Sequence, residues 1–271
     1  MPLRKLWDHA IDLKDTFQPK KGHIIRLSPV EQEEVSAFID DQLWKGYIQP
    51  SKSEQTSLVS FVPKKDGKKQ MVQDYCYLNE HTVKNNYPLP LISQLIDKLK
   101  GAKLFTKMDL RWGYNNICIK EGDKQKAAFM CFRGAYELLV MYFRLCNSPA
   151  TFQTMMNEIF VDMEDVVIVY IDDLMIFTKT DNQEEHDRIV LEVLRRLEEN
   201  DLFVKLEKCT FKAMEVEFLG IIVGTEGIKM DHFKISAILD WPTPKNVRGV
   251  RSFLGLANFY QHFIQDYTKV A

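Results

Sequence analysis

Residues 165–178 read DVVIVYIDDLMIFT, and they place two adjacent aspartates, Asp172 and Asp173, between two strongly apolar runs. Runs of this length and composition predict strands at 165–171 and 174–178 that are buried in a sheet. Two carboxylates between buried strands carry a severe desolvation cost unless they are paired or bind a metal. Aspartate is also common in hairpin turns, so this segment alone leaves a simple turn open.

A third aspartate, Asp109, closes another apolar strand predicted at 103–110. On its own it could be a turn residue or a helix N-cap. If the two strands are neighbours in one sheet, three carboxylates converge, and they cannot all stay ionised without a counter-charge. Two Mg²⁺ ions, or Mn²⁺, would supply that charge as in two-metal polymerase sites. We therefore predict Asp109, Asp172 and Asp173 as catalytic, metal-binding residues.

Outward from these strands, the predicted elements alternate irregularly. Ser28-Pro29-Val30-Glu31 is a capping box that begins a helix, which Gly46 ends. A hairpin is predicted at 58–63 and 71–75. Further helices are predicted at 91–100, 149–162, 183–199, 231–240 and 247–264, and further strands at 115–119, 126–132, 136–141 and 216–223. Many strand pairs are linked as hairpins, which favours an α+β fold with an antiparallel sheet.

Composition bounds the class of protein. The 271 residues are 45% hydrophobic and 27% charged, as in a globular protein with a real core. No apolar run reaches the roughly 18 residues of a membrane span, and no signal peptide is evident, so we expect no membrane partner and a cytoplasmic or nuclear location. Five scattered cysteines without a C-x-x-C pair indicate neither disulfides nor zinc. A metal here would use carboxylates and would be a hard ion such as Mg²⁺.

Charge is unevenly distributed along the chain, although the net charge is only −2. Residues 45–100 hold nine lysines against five acids, and residues 181–205 hold eight acids against four basic residues. Two ordinary solvated faces would explain this pattern. A basic surface directed at a phosphate backbone would explain it as well.

Six segments together resemble the gypsy-type reverse transcriptases of retrotransposon Pol polyproteins, in that family's order and from about residue 7 onward. The segments are FTKMDLRWGY (105–114), NSPATFQ (147–153), YIDD (170–173), FLG (218–220), WPTPK (241–245) and SFLGLANFY (252–260). A lone Y-x-D-D is weak, whereas the ordered set is specific.

The resemblance implies a right-hand polymerase whose antiparallel palm sheet carries the Y-x-D-D hairpin. Residues 1–102 would form an N-terminal lead and the fingers. Residues 103–225 would form the palm, with a fingers segment near 120–145, and residues 226–271 the thumb. The implied activity is that of an RNA-directed DNA polymerase, a nucleotidyltransferase that adds dNTPs to a primer 3′-hydroxyl on an RNA or DNA template.

The resemblance also implies roles for individual residues. Asp109, Asp172 and the backbone carbonyl of Leu110 would hold two metal ions, with Asp173 beside them. The nucleotide site would comprise Lys64, Gln70, Trp112, Gly113, Tyr114 and Phe143. Within it, Trp112 and Gly113 would offer backbone amides to the triphosphate, and Tyr114 would lie under the sugar. Phe218, Leu219 and Gly220 would form the primer grip. Without the family, Tyr114 could be a packed aromatic, Lys64 a solvated turn residue, and 218–220 simple core.

Four positions depart from the family pattern. Gln70 stands where the family has an arginine that binds the triphosphate, and Cys76 replaces the arginine of D-Y-R. Tyr142 and Arg144 replace the proline and glycine of P-F-G-L. Three of these changes are single transitions in a codon, so we interpret the chain as a mutationally decayed copy. A catalytically impaired remnant that only binds nucleic acid is the alternative function, and a structural protein with a mere Asp turn is a third.

The resemblance further leads us to expect that RNase H and integrase domains follow in a complete polyprotein and that a protease precedes. We see no nuclease constellation in these 271 residues, so we expect a fragment of a polyprotein or a truncated gene product.

Overall fold

The computed structural model describes residues 2–63, 69–263 and 266–270. Its helices are α1 (Pro29–Trp44), α2 (Cys76–His81), α3 (Ile92–Lys98), α4 (Ser148–Ile159), α5 (Gln183–Glu199), α6 (His232–Leu239), α7 (Val247–Phe259) and α8 (Tyr267–Val270). Its strands are β1 (Ile48–Pro50), β2 (Ser57–Pro63), β3 (Lys69–Gln73), β4 (Leu104–Arg111), β5 (Phe129–Cys131), β6 (Gly134–Leu138), β7 (Val167–Tyr170), β8 (Asp173–Thr178), β9 (Phe203–Val204), β10 (Thr210–Ala213), β11 (Glu215–Phe218), β12 (Ile221–Gly224) and β13 (Gly227–Met230).

The first sheet has the strand order β1-β6-β5-β2-β3. Its pairs are antiparallel except β2 with β5, which run parallel. The N-terminal lead is tied to this part of the fold, since His9 bridges Ile119 and the Gly22 N–H donates to the Thr56 carbonyl at 2.8 Å. The hairpin predicted at 58–63 and 71–75 turns around residues 66–67, which lie outside the described residues.

The central sheet has the order β10-β4-β8-β7, and β9 also pairs with β4. Every pair in it is antiparallel, as predicted for the sheet that carries the aspartates. Side chains alternate between its faces. Leu174 and Ile176 pack with α4 and α5 on one face, while Met175 and Phe177 pack with α3 and the third sheet on the other. Burial on both faces explains why β7 and β8 are continuous apolar runs.

The third sheet, β11-β12-β13, corrects one prediction. Residues 216–223 do not form a single strand: β11 and β12 pair antiparallel as a hairpin, with Phe218 opposite Ile221. The two residues between them, Leu219 and Gly220, have positive φ angles of 52° and 81°. That conformation is typical of a two-residue hairpin turn, which suits Gly220, but leucine rarely adopts it, so Leu219-Gly220 is not one of the common turn pairs.

Two helix predictions are confirmed. Helix α1 begins after Ser28 with both capping-box hydrogen bonds, and α5 spans the predicted 183–199.

The predicted strand at 115–119 is wrong. Residues Gly113–Asn116 form a 3-10 helix, which follows a turn at Trp112 with a φ of 56°. None of the described helices combines the length and the apolar character that crossing a membrane requires.

Candidate active site

Two neighbouring strands carry the three aspartates to one end of the central sheet. Asp109 on β4 is the direct cross-strand partner of Asp173 on β8. The Leu110 N–H also donates to the Asp172 carbonyl at 3.2 Å. Directly opposite residues project to the same face with Cβ atoms about 5 Å apart. The structure thus places residue 109 beside residues 172 and 173, as the sequence predicts.

Lysines surround these carboxylates. Lys205 Nζ lies 2.7 Å from Asp109 Oδ1, and Lys208 Nζ lies 3.5 Å from Asp109 Oδ2. Lys107 Nζ lies 3.6 Å from Asp173 Oδ1. Each ion pair offsets like-charge repulsion between the aspartates. No role was predicted for these lysines, because Lys205 is 96 positions from its partner and no local pattern indicates the contact.

Among the residues that the structure describes, none forms such an ion pair with Asp172. Its Oδ1 is buried and makes no hydrogen bond in the structure. Burial first, and then the charges of Asp109 and Asp173, raise the pKa of Asp172 to about 6, while the charge of Lys205 lowers it. A carboxylate in this state favours either a proton or a bound cation.

The described carboxylates are not arranged as a complete set of metal ligands. Across the described ranges 2–63, 69–263 and 266–270, no three His, Cys, Asp or Glu side chains are arranged to hold a metal ion. Asp109 directs one oxygen at Lys205 and the other at Lys208. The donors are nevertheless hard oxygens, and the unpartnered Oδ1 of Asp172 is the type of ligand that Mg²⁺ accepts.

The turn between β7 and β8 has a strained backbone, and hydrogen bonds from helix α4 hold it in place. Ile171 has a φ of 54°, which is rare for a β-branched residue and persists only where the surroundings impose it. Gln153 on α4 imposes it: its Oε1 accepts from the Ile171 N–H at 2.9 Å and its Nε2 donates to the Val169 carbonyl at 3.1 Å. The side chain of Gln153 is fully buried. This role of Gln153 was not predicted from the sequence, because it depends on contacts with a hairpin 16 to 18 residues away.

The segment after β4 is packed closely. A Cβ on Gly113 would lie 2.8 Å from the Phe152 ring, so no larger residue fits there without movement. The Tyr114 ring packs on Phe152 with centroids 5.0 Å apart. Burial raises the pKa of Tyr114, and so does the nearby Asp172 charge. Trp112 is exposed, and Lys45 Nζ lies 5.7 Å from its ring centroid.

The other predicted nucleotide-site residues lie in or near the first sheet. Gln70 is half-buried on β3 opposite Val62, and Phe143 is exposed. Lys64 lies outside the described residues. In the described part of the chain, no hydrogen bond or ion pair joins Gln70 or Phe143 to the aspartates, so their nucleotide-binding role stays a prediction.

Two of the departures lie close together. The Arg144 guanidinium is 5.4 Å from the Phe143 ring centroid, and its charge acts on both Asp74 and Cys76. Arg144 has no left-handed backbone, so this position accommodates an arginine without backbone strain. Cys76 is exposed, its backbone N–H donates to Asp74 at 2.9 Å, and hydrogen bonding to Asp74 raises the pKa of its thiol.

The predicted primer-grip residues form the β11–β12 turn and its approach. Phe218 is buried in the core between the central and third sheets. Leu219 and Gly220 are the turn itself, and the Tyr260 hydroxyl after α7 donates to the Gly220 carbonyl at 3.3 Å. The turn is therefore tied to the C-terminal helices.

The sequence is similar to reverse transcriptases and to transposon polyproteins. Residues 62–223 match the model of the family described as reverse transcriptase (RNA-dependent DNA polymerase). The chain is 38% identical over 239 residues to the Tf2-3 and Tf2-4 transposon polyproteins of Schizosaccharomyces pombe, elements of the Ty3/gypsy type. The match covers 88% of this chain but only 18% of each polyprotein.

Solved structures agree on the fold. A foamy viral protease-reverse transcriptase in complex with double-stranded DNA has a TM-score of 0.86 and 25% identity, covering 98% of this chain and 46% of that one. A complex of the foamy viral enzyme with RNA/DNA hybrid has a TM-score of 0.80 and 25% identity, covering 94% of this chain and 34% of that one. The right-hand polymerase fold is confirmed, and the chain belongs to the reverse transcriptase family, with gypsy-type retrotransposon polyproteins among its relatives.

Proposed function

We propose that this chain is the polymerase part of a retrotransposon reverse transcriptase and extends a primer 3′-hydroxyl with dNTPs. The observation that carries the proposal is the convergence of Asp109, Asp172 and Asp173 at one end of the central sheet. The match to reverse transcriptases supports it. The chain spans less than a fifth of the polyproteins it matches, so their other activities are not assigned to it.

Reverse transcriptases generally use divalent metal ions. We assign the ligands to Asp109, Asp172 and the Leu110 carbonyl, with Asp173 beside them, and two Mg²⁺ or Mn²⁺ ions as the metals. When bound, such ions lower the pKa of the attacking hydroxyl and neutralise the triphosphate. The unpartnered oxygen of Asp172 supports the assignment, because a cation would remove its desolvation cost.

The chain's own residues contribute mainly position. Gln153 fixes the Ile171 turn and thereby the orientation of Asp172. Gly113 lets the backbone approach Phe152, and the Tyr114 ring packs on the same phenylalanine. We assign Tyr114 to a position directly under the sugar of the incoming nucleotide. Trp112 and Gly113 are assigned to the triphosphate through their backbone amides. Such positioning and charge compensation are the protein's share of phosphoryl transfer.

The proposed partners are an RNA or DNA template with its primer, and dNTPs. The solved neighbours include complexes of foamy viral enzymes with RNA/DNA hybrid and with double-stranded DNA. We also assign Lys64, Gln70 and Phe143 to the nucleotide site, and Phe218, Leu219 and Gly220 to the primer grip.

Primer extension on a defined template tests the proposal, with Asp172→Asn and Asp109→Asn as variants. Extension by the native chain in Mg²⁺ or Mn²⁺, and its loss in both variants, is the expected result. Asp187→Asn is the matched control, because Asp187 is an ion-paired aspartate on the surface of α5. Extension that survives Asp172→Asn would contradict the assignment of the site.

A second function, nucleic-acid binding without extension, is favoured by one observation. Gln70 and Cys76 leave two family arginine positions without charge, and a neutral amide cannot make a charge-assisted fork to phosphate. A gel shift with template–primer, run beside the extension assay, distinguishes the two functions. Binding by the native chain without any extension would support the second.

A further inference from the structure

The ammonium group of Lys205 lies where the three carboxylates converge. Its Nζ is 2.7 Å from Asp109 Oδ1, and both side chains are largely shielded, with 29% of Lys205 and 21% of Asp109 exposed. The charge of Lys205 also acts on Asp172. One cation therefore serves two of the carboxylates to which we assign metal binding.

The backbone places this lysine firmly. Strand β9 pairs with β4 through Leu110 opposite Val204, directly before Lys205. The Lys205 N–H then donates to the Asp109 carbonyl at 2.9 Å. A double link between the same two residues, one through the backbone and one through the side chains, makes the contact a built feature of the sheet edge.

Lys208 and Lys107 are weaker candidates for the same role. Lys208 Nζ is 3.5 Å from Asp109 Oδ2 and its side chain is 57% exposed. Lys107 Nζ is 3.6 Å from Asp173. Both distances are longer than that of a charge-assisted hydrogen bond, and solvent further screens the exposed Lys208. Lys205 is the lysine that compensates the cluster at hydrogen-bond distance.

We propose that Lys205 is a resident counter-ion of the metal-free site, which a divalent cation displaces from Asp109 on binding. The proposal rests on the proposed function for the identity of the metal ligands. A lysine held at Asp109 occupies a carboxylate oxygen that the ion would otherwise bind. Metal binding is then an exchange of one cation for another, and the Lys205 side chain moves into solvent.

Amine labelling of the native 271-residue chain tests this exchange without relying on activity. An acylating reagent is applied without metal and with Mn²⁺, and site-resolved mass spectrometry measures the modification of each lysine. Lys205 is expected to be labelled several-fold faster with Mn²⁺, because release exposes its amine. Lys212, paired with Asp187 at 2.7 Å outside the site, is the matched control and should not change.

Mn²⁺ binding is followed in the same samples by loss of the free-ion electron spin resonance signal. Bound Mn²⁺ with unchanged Lys205 labelling would overturn the proposal. In Asp109→Asn, Lys205 should already be labelled fast without metal. No Mn²⁺ binding by the native chain, together with no primer extension, would overturn both the proposal and the proposed function. Extension with unchanged labelling would overturn the proposal alone.

Substitution gives an independent measurement. Lys205→Gln should bind Mn²⁺ about fivefold more tightly than the native chain, because the competitor is gone and a part-buried pair of this kind is worth up to about 1 kcal/mol. Lys208→Gln should show a smaller gain and Lys212→Gln none. Weaker Mn²⁺ binding by Lys205→Gln would show that the lysine assists the metal and would refute the exchange.

Discussion

Asp172 lowers the stability of the folded protein at neutral pH, although it is one of the residues to which we assign metal binding. Its folded-state pKa is raised to about 6 by burial first and by Asp109 and Asp173 next. A carboxyl group with a raised pKa stabilises the fold fully below its unfolded value near 4. This contribution is lost as pH rises through about 6. At pH 7 without metal, ionised Asp172 is therefore destabilising.

Asp172→Asn should consequently raise the stability of the metal-free protein at pH 7. The gain should be about 1 kcal/mol, a value discounted for partial solvent exposure of the carboxylate. Urea unfolding in a chelator at pH 7 and at pH 4.5 measures it, and the gain should shrink at the lower pH. An equal or lower stability of the variant at pH 7 would contradict the electrostatic account.

Gln70 and Arg144 allow a test of the decay hypothesis. Gln70→Arg combined with Arg144→Gly should raise primer extension roughly 10²-fold, because a phosphate-binding charge is restored. Since the backbone at Arg144 accommodates its side chain, each single change should be measured too. No gain from the double variant would count against decay.

Individual site residues could be predicted from the sequence where a metal-binding side chain stands next to a recognisable apolar strand. Asp109, Asp172 and Asp173 follow or interrupt apolar strands, and both features are local. Lys205 and Gln153 were not identified, because their importance depends on contacts that only the folded chain creates.

Helix α4 is the element that supports the Asp172 turn, through Gln153. Gln153→Leu should cost about 2 kcal/mol of stability, because the part-buried Ile171 N–H would lose its acceptor. Primer extension should fall more than template–primer binding. Gln32→Leu, at an exposed hydrogen bond near the start of α1, is the control. Unchanged primer extension by Gln153→Leu would show that the Ile171 turn keeps its conformation without Gln153.

The N-terminal lead is fastened through His9, which is buried with its Nδ1 2.9 Å from Thr151 Oγ1. Burial lowers the pKa of His9 to about 4. The neutral histidine therefore stabilises the fold above about pH 6.5, and this contribution is lost as pH falls through 4, by roughly 3 kcal/mol. His9→Asn should flatten the stability profile between these values in urea unfolding, and the exposed His23→Asn should not.

Elements with strong periodicity or caps were predictable, as α1 and α5 show. The errors at 115–119 and 216–223 share one cause. In both places a residue other than glycine, Trp112 or Leu219, takes a positive φ, which local preference does not predict.

The whole molecule has a net charge of −2, so binding to nucleic acid must depend on local basic surface. If that surface contacts about four phosphates, affinity for template–primer should fall roughly 10²-fold between 50 and 200 mM salt. Fluorescence anisotropy measures this slope, and Asp172→Asn should share it, because its carboxylate does not face the backbone phosphates in the proposed assignment. A salt-independent affinity would exclude a phosphate-directed surface.

The three-sheet arrangement could be predicted only as a class. Irregular alternation indicated α+β and antiparallel pairing, but the parallel contact of β2 with β5 joins segments about 70 residues apart and has no local signature. The boundaries at 102 and 225 stay predictions. Family motifs supplied the architecture that periodicity could not.

Cys76 offers a practical consequence. Of the five free cysteines it alone is exposed, whereas Cys118 and Cys131 are buried. Asp74 suppresses its thiolate, so a maleimide dye would attach slowly at neutral pH and faster in mild alkali. A fluorophore placed there would lie near Arg144 and would report nucleotide binding by a change in its emission, without any introduced cysteine.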